Sequence, residues 1–154
     1  MIPCRSVHVT GSFPVALGTD DAFPLFTASG ERPWVDGWDP HFPDPTADET
    51  EPGTVFTTAH GGRETTWVVA HREGRRLIAY ANVTPGRRAT RVAVALAPSA
   101  GGTTVTVSYD VTALIPGANA EVEEFATHYA EFLEEWQDAI EALASAGRGG
   151  AGEA

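Results

Sequence analysis

The stretch from Asn119 to Ala146 constrains the fold more than any other. Apolar residues recur at Val122, Phe125, Ala126, Tyr129, Phe132, Leu133, Trp136, Ile140 and Leu143. These steps of three and four put side chains on one face of an α-helix. Glu121, Glu123, Glu124, Glu131, Glu134, Glu135, Asp138 and Glu141 make the opposite face acidic, and Asn119 stands where a cap is expected. Burying each large apolar side chain of such a helix contributes ~1.5–3 kcal/mol. A broad apolar surface must therefore lie against it, and the upstream chain has to supply one.

Upstream, the pattern is that of strands. Arg5 to Phe13 alternates apolar and polar residues, a half-buried strand that Pro14 is expected to end. Thr19–Phe26 reads as a short apolar helix, followed by a turn-rich segment, Ser29 to Trp38, carrying Trp34 and Trp38. Asp39 to Gly53 is rich in proline and acid. It predicts an irregular or edge strand near His41 and Phe42, then a mobile loop over Thr46 to Pro52. Five strand-like runs follow: Thr54–His60, Glu64–His71, Leu77–Thr84, Arg88–Ala97 and Thr103–Leu114. Short turns join them, which makes successive pairs antiparallel, because a parallel crossover needs a dozen residues or more. A meander of this size curls under its own twist and offers a concave face to the helix.

Composition narrows the chemistry. The 154 residues suit one domain, expected over residues 1–146, with the glycine-rich residues 147–154 expected to be a disordered tail. A net charge of −11 disfavours nucleic acid as a partner, since that affinity comes largely from bases neutralising phosphates. All ten basic residues are arginine. Schiff-base lysine, pyridoxal phosphate and Walker-type chemistry are thereby removed. Cys4 is the sole cysteine, so no internal disulfide can form. No apolar run is long enough for membrane insertion, and the N-terminus lacks a signal-peptide core, so a cytoplasmic protein is expected, as monomer or homodimer. The five histidines are dispersed without the spacing of a helical metal site, and no metal or other cofactor is expected.

The order of elements, with the stretches Phe23-Pro24-Leu25-Phe26, Trp34-Val35-Asp36-Gly37-Trp38, Val55-Phe56-Thr57-Thr58, Thr66-Trp67-Val68-Val69 and Val83-Thr84-Pro85-Gly86, resembles the START-like superfamily, also called SRPBCC. That group includes polyketide cyclases and the birch-pollen allergen type. The resemblance implies an α+β helix-grip fold. In it a curved antiparallel sheet of six to seven strands wraps around a long C-terminal helix, with a short helical segment after the first strand. It also implies a cavity between sheet and helix for a hydrophobic or aromatic small molecule. Some relatives cyclise and dehydrate polyketides there; others carry or sense a ligand, or act as co-chaperones. Fold does not choose among these.

Candidate site residues follow from side-chain chemistry and strand parity. Trp34, Trp38, Trp67, Tyr109, Phe125 and Tyr129 pair aromatic area with, in most cases, one polar atom, which suits a ligand cavity, although core packing is the simpler account of any one. Tyr109 shares a face with Val105, Val107 and Val111 and is expected inside. Tyr80 and Asn82 enter the cavity if the small residues of their strand face out; likewise Trp67, Val69 and His71 share one parity. His60 and Glu64 flank the Gly61-Gly62 turn and could pair as a base and its orienting carboxylate, while His41 lies near the tryptophans. With Tyr80, these are the candidate catalytic groups; two solvated residues at a hairpin tip is the plainer account of His60 and Glu64. The helix is expected to divide lengthwise: Phe125, Tyr129 and Phe132 to the ligand, Trp136, Ile140 and Leu143 to the sheet.

Overall fold

The computed structural model describes residues 2–45 and 48–153, with side chains to Ala146. Six strands form one antiparallel sheet: β1 (Ser6–Val15), β2 (Val55–His60), β3 (Arg63–Glu73), β4 (Leu77–Thr84), β5 (Arg88–Ser99) and β6 (Gly102–Ala113). Their order is β1-β6-β5-β4-β3-β2, a meander whose first strand returns beside its last. His41 adds a single bridge to Thr57, the irregular strand expected there. β1 continues through Pro14, which pairs with Thr104. Proline is tolerated because β1 is an edge strand.

Between β1 and β2 the chain makes helix α1 (Thr19–Ala22) and two 3-10 turns, Phe23–Phe26 and Ser29–Glu31. The segment expected to be a mobile loop is tied down where it is described. The Asp48 carboxylate accepts the Thr50 amide at 2.9 Å and ion-pairs with Arg72 at 2.8 Å, and Gly53 donates its amide to the Val69 carbonyl. Thr46 and Ala47 lie outside the described residues.

The long amphipathic stretch is two helices, α2 (Asn119–Thr127) and α3 (Tyr129–Glu153), meeting at His128. Its ladder is not cut: His128 donates to the Glu124 carbonyl and Phe132 to that of His128. At the junction His128 leaves helical dihedrals (φ −102°, ψ 18°), and the Thr127 hydroxyl donates to the Glu123 carbonyl one turn back, a bond that loosens helices. Asn119 does not cap its helix. Its carboxamide instead accepts from the Arg5 amide (2.8 Å) and donates to the Pro3 carbonyl (3.0 Å), pinning the start of β1. Helix α3 runs on past Ala146, but side chains from Gly147 onward are outside the described residues, so the tail expected there stays with the sequence. Among the described residues no helix is long and apolar enough to cross a membrane.

The helices do not divide lengthwise between ligand and sheet. They divide by face. Val122, Tyr129, Leu133 and Ile140 are buried, while Phe125, Phe132 and Trp136 keep exposed surface over the concavity. Tyr129 donates to the Val107 carbonyl and belongs to the packed face. The close crossing over β1 is permitted by Gly11, where an added Cβ would sit 2.5 Å from the Leu133 side chain.

Candidate functional site

Strand parity builds the concave wall. Tyr80 and Asn82 of β4 point inward with Ile78, as do Val92 and Val94 of β5 and Val105, Val107 and Val111 of β6. On β3, Trp67 and Val69 follow the same side, but the register shifts between Val69 and His71. The bulge turns His71 outward to pair with Ala79 and brings Arg72 opposite Ile78, where it lies over the Phe23 ring. His71 thus leaves the face that simple alternation assigned it.

Two spaces open between this wall and the helices. The inner chamber, about 160 Å³, is lined by aromatic residues from every side, among them Trp38, Phe56, Trp67, Tyr80, Phe132 and Trp136. A vestibule of about 400 Å³ is lined by Thr65, Asn82, Thr84, Arg88, Thr90, Glu121 and Phe125 together with apolar groups. Trp67, Tyr109 and Phe132 belong to both linings and form the boundary between them. The chamber is close in size to an apolar cavity known to take up benzene, about 150 Å³; one six-membered ring fits it.

Most polar tips around the chamber are already engaged. The Trp38 indole donates to the Ala28 carbonyl (2.7 Å) and the Trp67 indole to the Thr58 hydroxyl (3.0 Å). The Tyr80 hydroxyl donates to the Phe26 carbonyl at 2.8 Å. Three polar side chains on the chamber make no hydrogen bond among the described residues: the Tyr109 hydroxyl, the carboxyl of Glu31 and the indole N–H of Trp136. Burial holds the Glu31 carboxyl well above the usual carboxylate range. Burial, with the Glu31 charge and then Tyr129 adding to it, also raises the Tyr109 phenol. Tyr80 is raised for the same first cause, with Glu31 and Glu49 adding to it.

The backbone fixes Glu31 from both sides. Its amide donates to the Thr27 carbonyl, and its carbonyl accepts from Trp34 and Val35. Before it, Gly30 passes so close to Pro24 that a Cβ would lie 1.6 Å from that carbonyl oxygen. The Thr27 hydroxyl accepts from the Gly30 amide, and the Glu49 carboxylate takes both the amide (2.7 Å) and the hydroxyl (2.6 Å) of Ser29. No spacing pattern pointed to Glu31. The available signal was a lone acid between Gly30 and Pro33, two residues from the aromatic segment.

The remaining candidates separate cleanly. Trp38, Trp67 and Tyr109 line the chamber; Asn82, Tyr109 and Phe125 line the vestibule. Trp34 is core: its indole donates to the Leu25 carbonyl and its ring packs edge-on against Trp136 at 5.2 Å. Tyr80 lines the chamber, but its hydroxyl is committed to backbone. His41 is exposed beyond its backbone bridge. His60 and Glu64 do not pair. The two-glycine turn, with both φ values positive (57° and 79°), sets His60 opposite Arg63 and Glu64 opposite Ala59, and both candidates face solvent. Among the described residues no group of three or more His, Cys, Asp and Glu could hold a metal ion.

The solved structures that resemble this one carry the architecture. An uncharacterised protein from Rhizobium leguminosarum aligns over 91% of this chain and 97% of its own at 14% identity, TM-score 0.66. Norcoclaurine synthase from Thalictrum flavum, in complex with dopamine and hydroxybenzaldehyde, aligns over 92% and 87% at 15% identity, TM-score 0.61. CalU16 from Micromonospora echinospora aligns over 92% and 87% at 18% identity, TM-score 0.50. The fold they share is a helix grip, a curved antiparallel sheet against C-terminal helices. At these identities the likeness is one of fold alone. No protein-family model matches the chain, and no curated protein sequence does.

Proposed function

We propose that this protein binds a ring-bearing hydrophobic small molecule between sheet and helices, and that it acts as a cyclase/dehydrase-like protein on such a ligand. The observation that carries this reading is the two-part cavity: an aromatic chamber sized for one ring, adjoining a roomier, more polar vestibule. A ligand with an aromatic or cyclised inner end and a more polar outer end matches it. Norcoclaurine synthase, similar in fold, is held with two single-ring aromatic molecules, which supports a ring as the inner group. A catalytic role would rest on restraint of a flexible substrate within shaped walls, which alone supplies much of a cyclisation rate.

The test is native mass spectrometry of the full chain purified from its own host, followed by titration of single-ring compounds against tryptophan fluorescence. Retention of a small organic molecule, or saturable quenching by ring compounds, is expected. A protein that carries nothing and shows no saturable response to any ring compound would overturn the reading.

A further inference from the structure

The two unbonded oxygen groups of the chamber come from separate elements: Glu31 from the 3-10 turn after α1 and Tyr109 from β6. Apart from the Trp136 indole on α3, which is also unbonded, the hydroxyl and indole tips around them are tied to the protein, so Glu31 and Tyr109 are the hydroxyl-bearing groups left to meet a ligand. We propose that Glu31 and Tyr109 form a paired hydrogen-bonding site that binds the carbonyl oxygen of a ring-bearing ligand. The inference rests on the cavity reading above and adds the substrate class, a ketone whose carbonyl enters the aromatic chamber.

The chemistry follows from where the groups lie. A protonated carboxyl and a phenol each offer one O–H donor, and burial biases both toward that protonated form by disfavouring their anions. Donors fixed among aromatic walls act more strongly on a carbonyl oxygen than they would in water. The pair's role is hydrogen bonding alone; neither O–H bond breaks. Their aim is set by the pinned backbone of Glu31 and by Tyr109 packing edge-on against Phe125, Tyr129 and Phe132.

The site carries its own pH dependence. Ionising Glu31 replaces a donor with a negative charge facing the ligand oxygen, so carbonyl binding weakens as pH rises through the raised pKa of Glu31. The titratable groups facing it are Tyr80 and Tyr109 from the sheet, both raised; α3 presents Phe132 and Trp136, and β2 and β5 present Phe56, Val92 and Val94. Glu49 is held by Ser29, and Arg32 by the Pro40 carbonyl and Asp39.

The experiment compares acetophenone with isopropylbenzene, the same shape without the oxygen, by tryptophan fluorescence on the full chain across pH. Wild type should prefer acetophenone by roughly tenfold, the effect expected of two neutral hydrogen bonds. Tyr109→Phe and Glu31→Leu should each remove most of that preference. Glu31→Gln, which keeps a neutral donor, should retain it and lose the pH dependence. If isopropylbenzene binds wild type as tightly as acetophenone, or if the preference survives both Tyr109→Phe and Glu31→Leu, the inference is wrong while the cavity stands. If neither probe binds at any pH, the cavity reading falls and this inference with it.

Discussion

The chamber and the vestibule share three wall residues yet differ in how many polar groups they carry. In the vestibule, polar groups are many and face one another. The Thr65 and Thr84 hydroxyls bond at 2.6 Å, and Glu121 accepts both Arg87 (3.0 Å) and Arg88 (3.4 Å). In the chamber, polar groups are few, and all but the Glu31 carboxyl, the Tyr109 hydroxyl and the Trp136 indole are turned outward to backbone or a neighbouring hydroxyl. The vestibule mixes such paired groups with Asn82 and Thr90, whose side chains make no hydrogen bond among the described residues, and so suits many outer groups on a ligand. The chamber is mostly aromatic, so an inner end that leaves its few polar groups unmet forgoes hydrogen bonds of about 0.5–1.5 kcal/mol each. Selectivity is therefore expected to reside at the inner end.

Substitutions that dismantle the chamber should have the largest effects. Gly30→Ala places a methyl on the Pro24 carbonyl with no room to relax and should cost about 3 kcal/mol or more in urea denaturation. Little loss would mean that the turn carrying Glu31 is not held as tightly as the contact implies. The two tyrosines sharpen the contrast next. Tyr80→Phe strands the Phe26 carbonyl and should destabilise by ~1–3 kcal/mol. Tyr109→Phe removes a hydroxyl bonded to nothing in the protein and should leave the denaturation midpoint nearly unchanged while weakening ligand binding. Equal destabilisation by both would place Tyr109 in the scaffold.

Titration gives a smaller effect with a definite sign. The folded state holds the Glu31 proton at pH values where the unfolded chain has released it. Stability relative to Glu31→Gln should thus fall as pH rises from the ordinary carboxylate range to the folded pKa of Glu31, and level off above it. A flat difference would show that the carboxyl reaches water. Smallest of all, His60→Ala and Glu64→Ala alter solvated positions at the hairpin tip and should change stability by less than ~0.5 kcal/mol, with ligand binding intact. Loss of binding in either would move the site to that hairpin.

The fold was legible because periodicity reports it directly. The alternation of Val105, Val107, Tyr109 and Val111 was enough to place Tyr109 inward, and the helical steps from Val122 to Leu143 located the helices. The bulge between Val69 and His71 was not legible, since the apolar run Val68-Val69-Ala70 contains no glycine or proline to mark it, and it moved His71 outward. The break at His128 coincides with one Thr127 bond, and the role of Asn119 depends on a partner more than a hundred residues away. For the cavity lining, residue type was an incomplete guide. Histidines attract attention as acid–base groups, but His41, His60 and Glu64 stand where turn geometry leaves them in solvent. Glu31 gains its chemistry only from the aromatic rings folded around it, and those come from segments spread between Phe26 and Trp136.

The most direct test of the account is the side-chain 13C NMR titration of the Glu31 carboxyl in the full chain, with Glu31→Gln identifying its resonance. The carboxyl should stay protonated well above the ordinary carboxylate range, and acetophenone in the chamber should push its titration higher still, since the ketone binds the protonated form. A Glu31 that titrates like an exposed glutamate, unmoved by the ketone, would contradict the account.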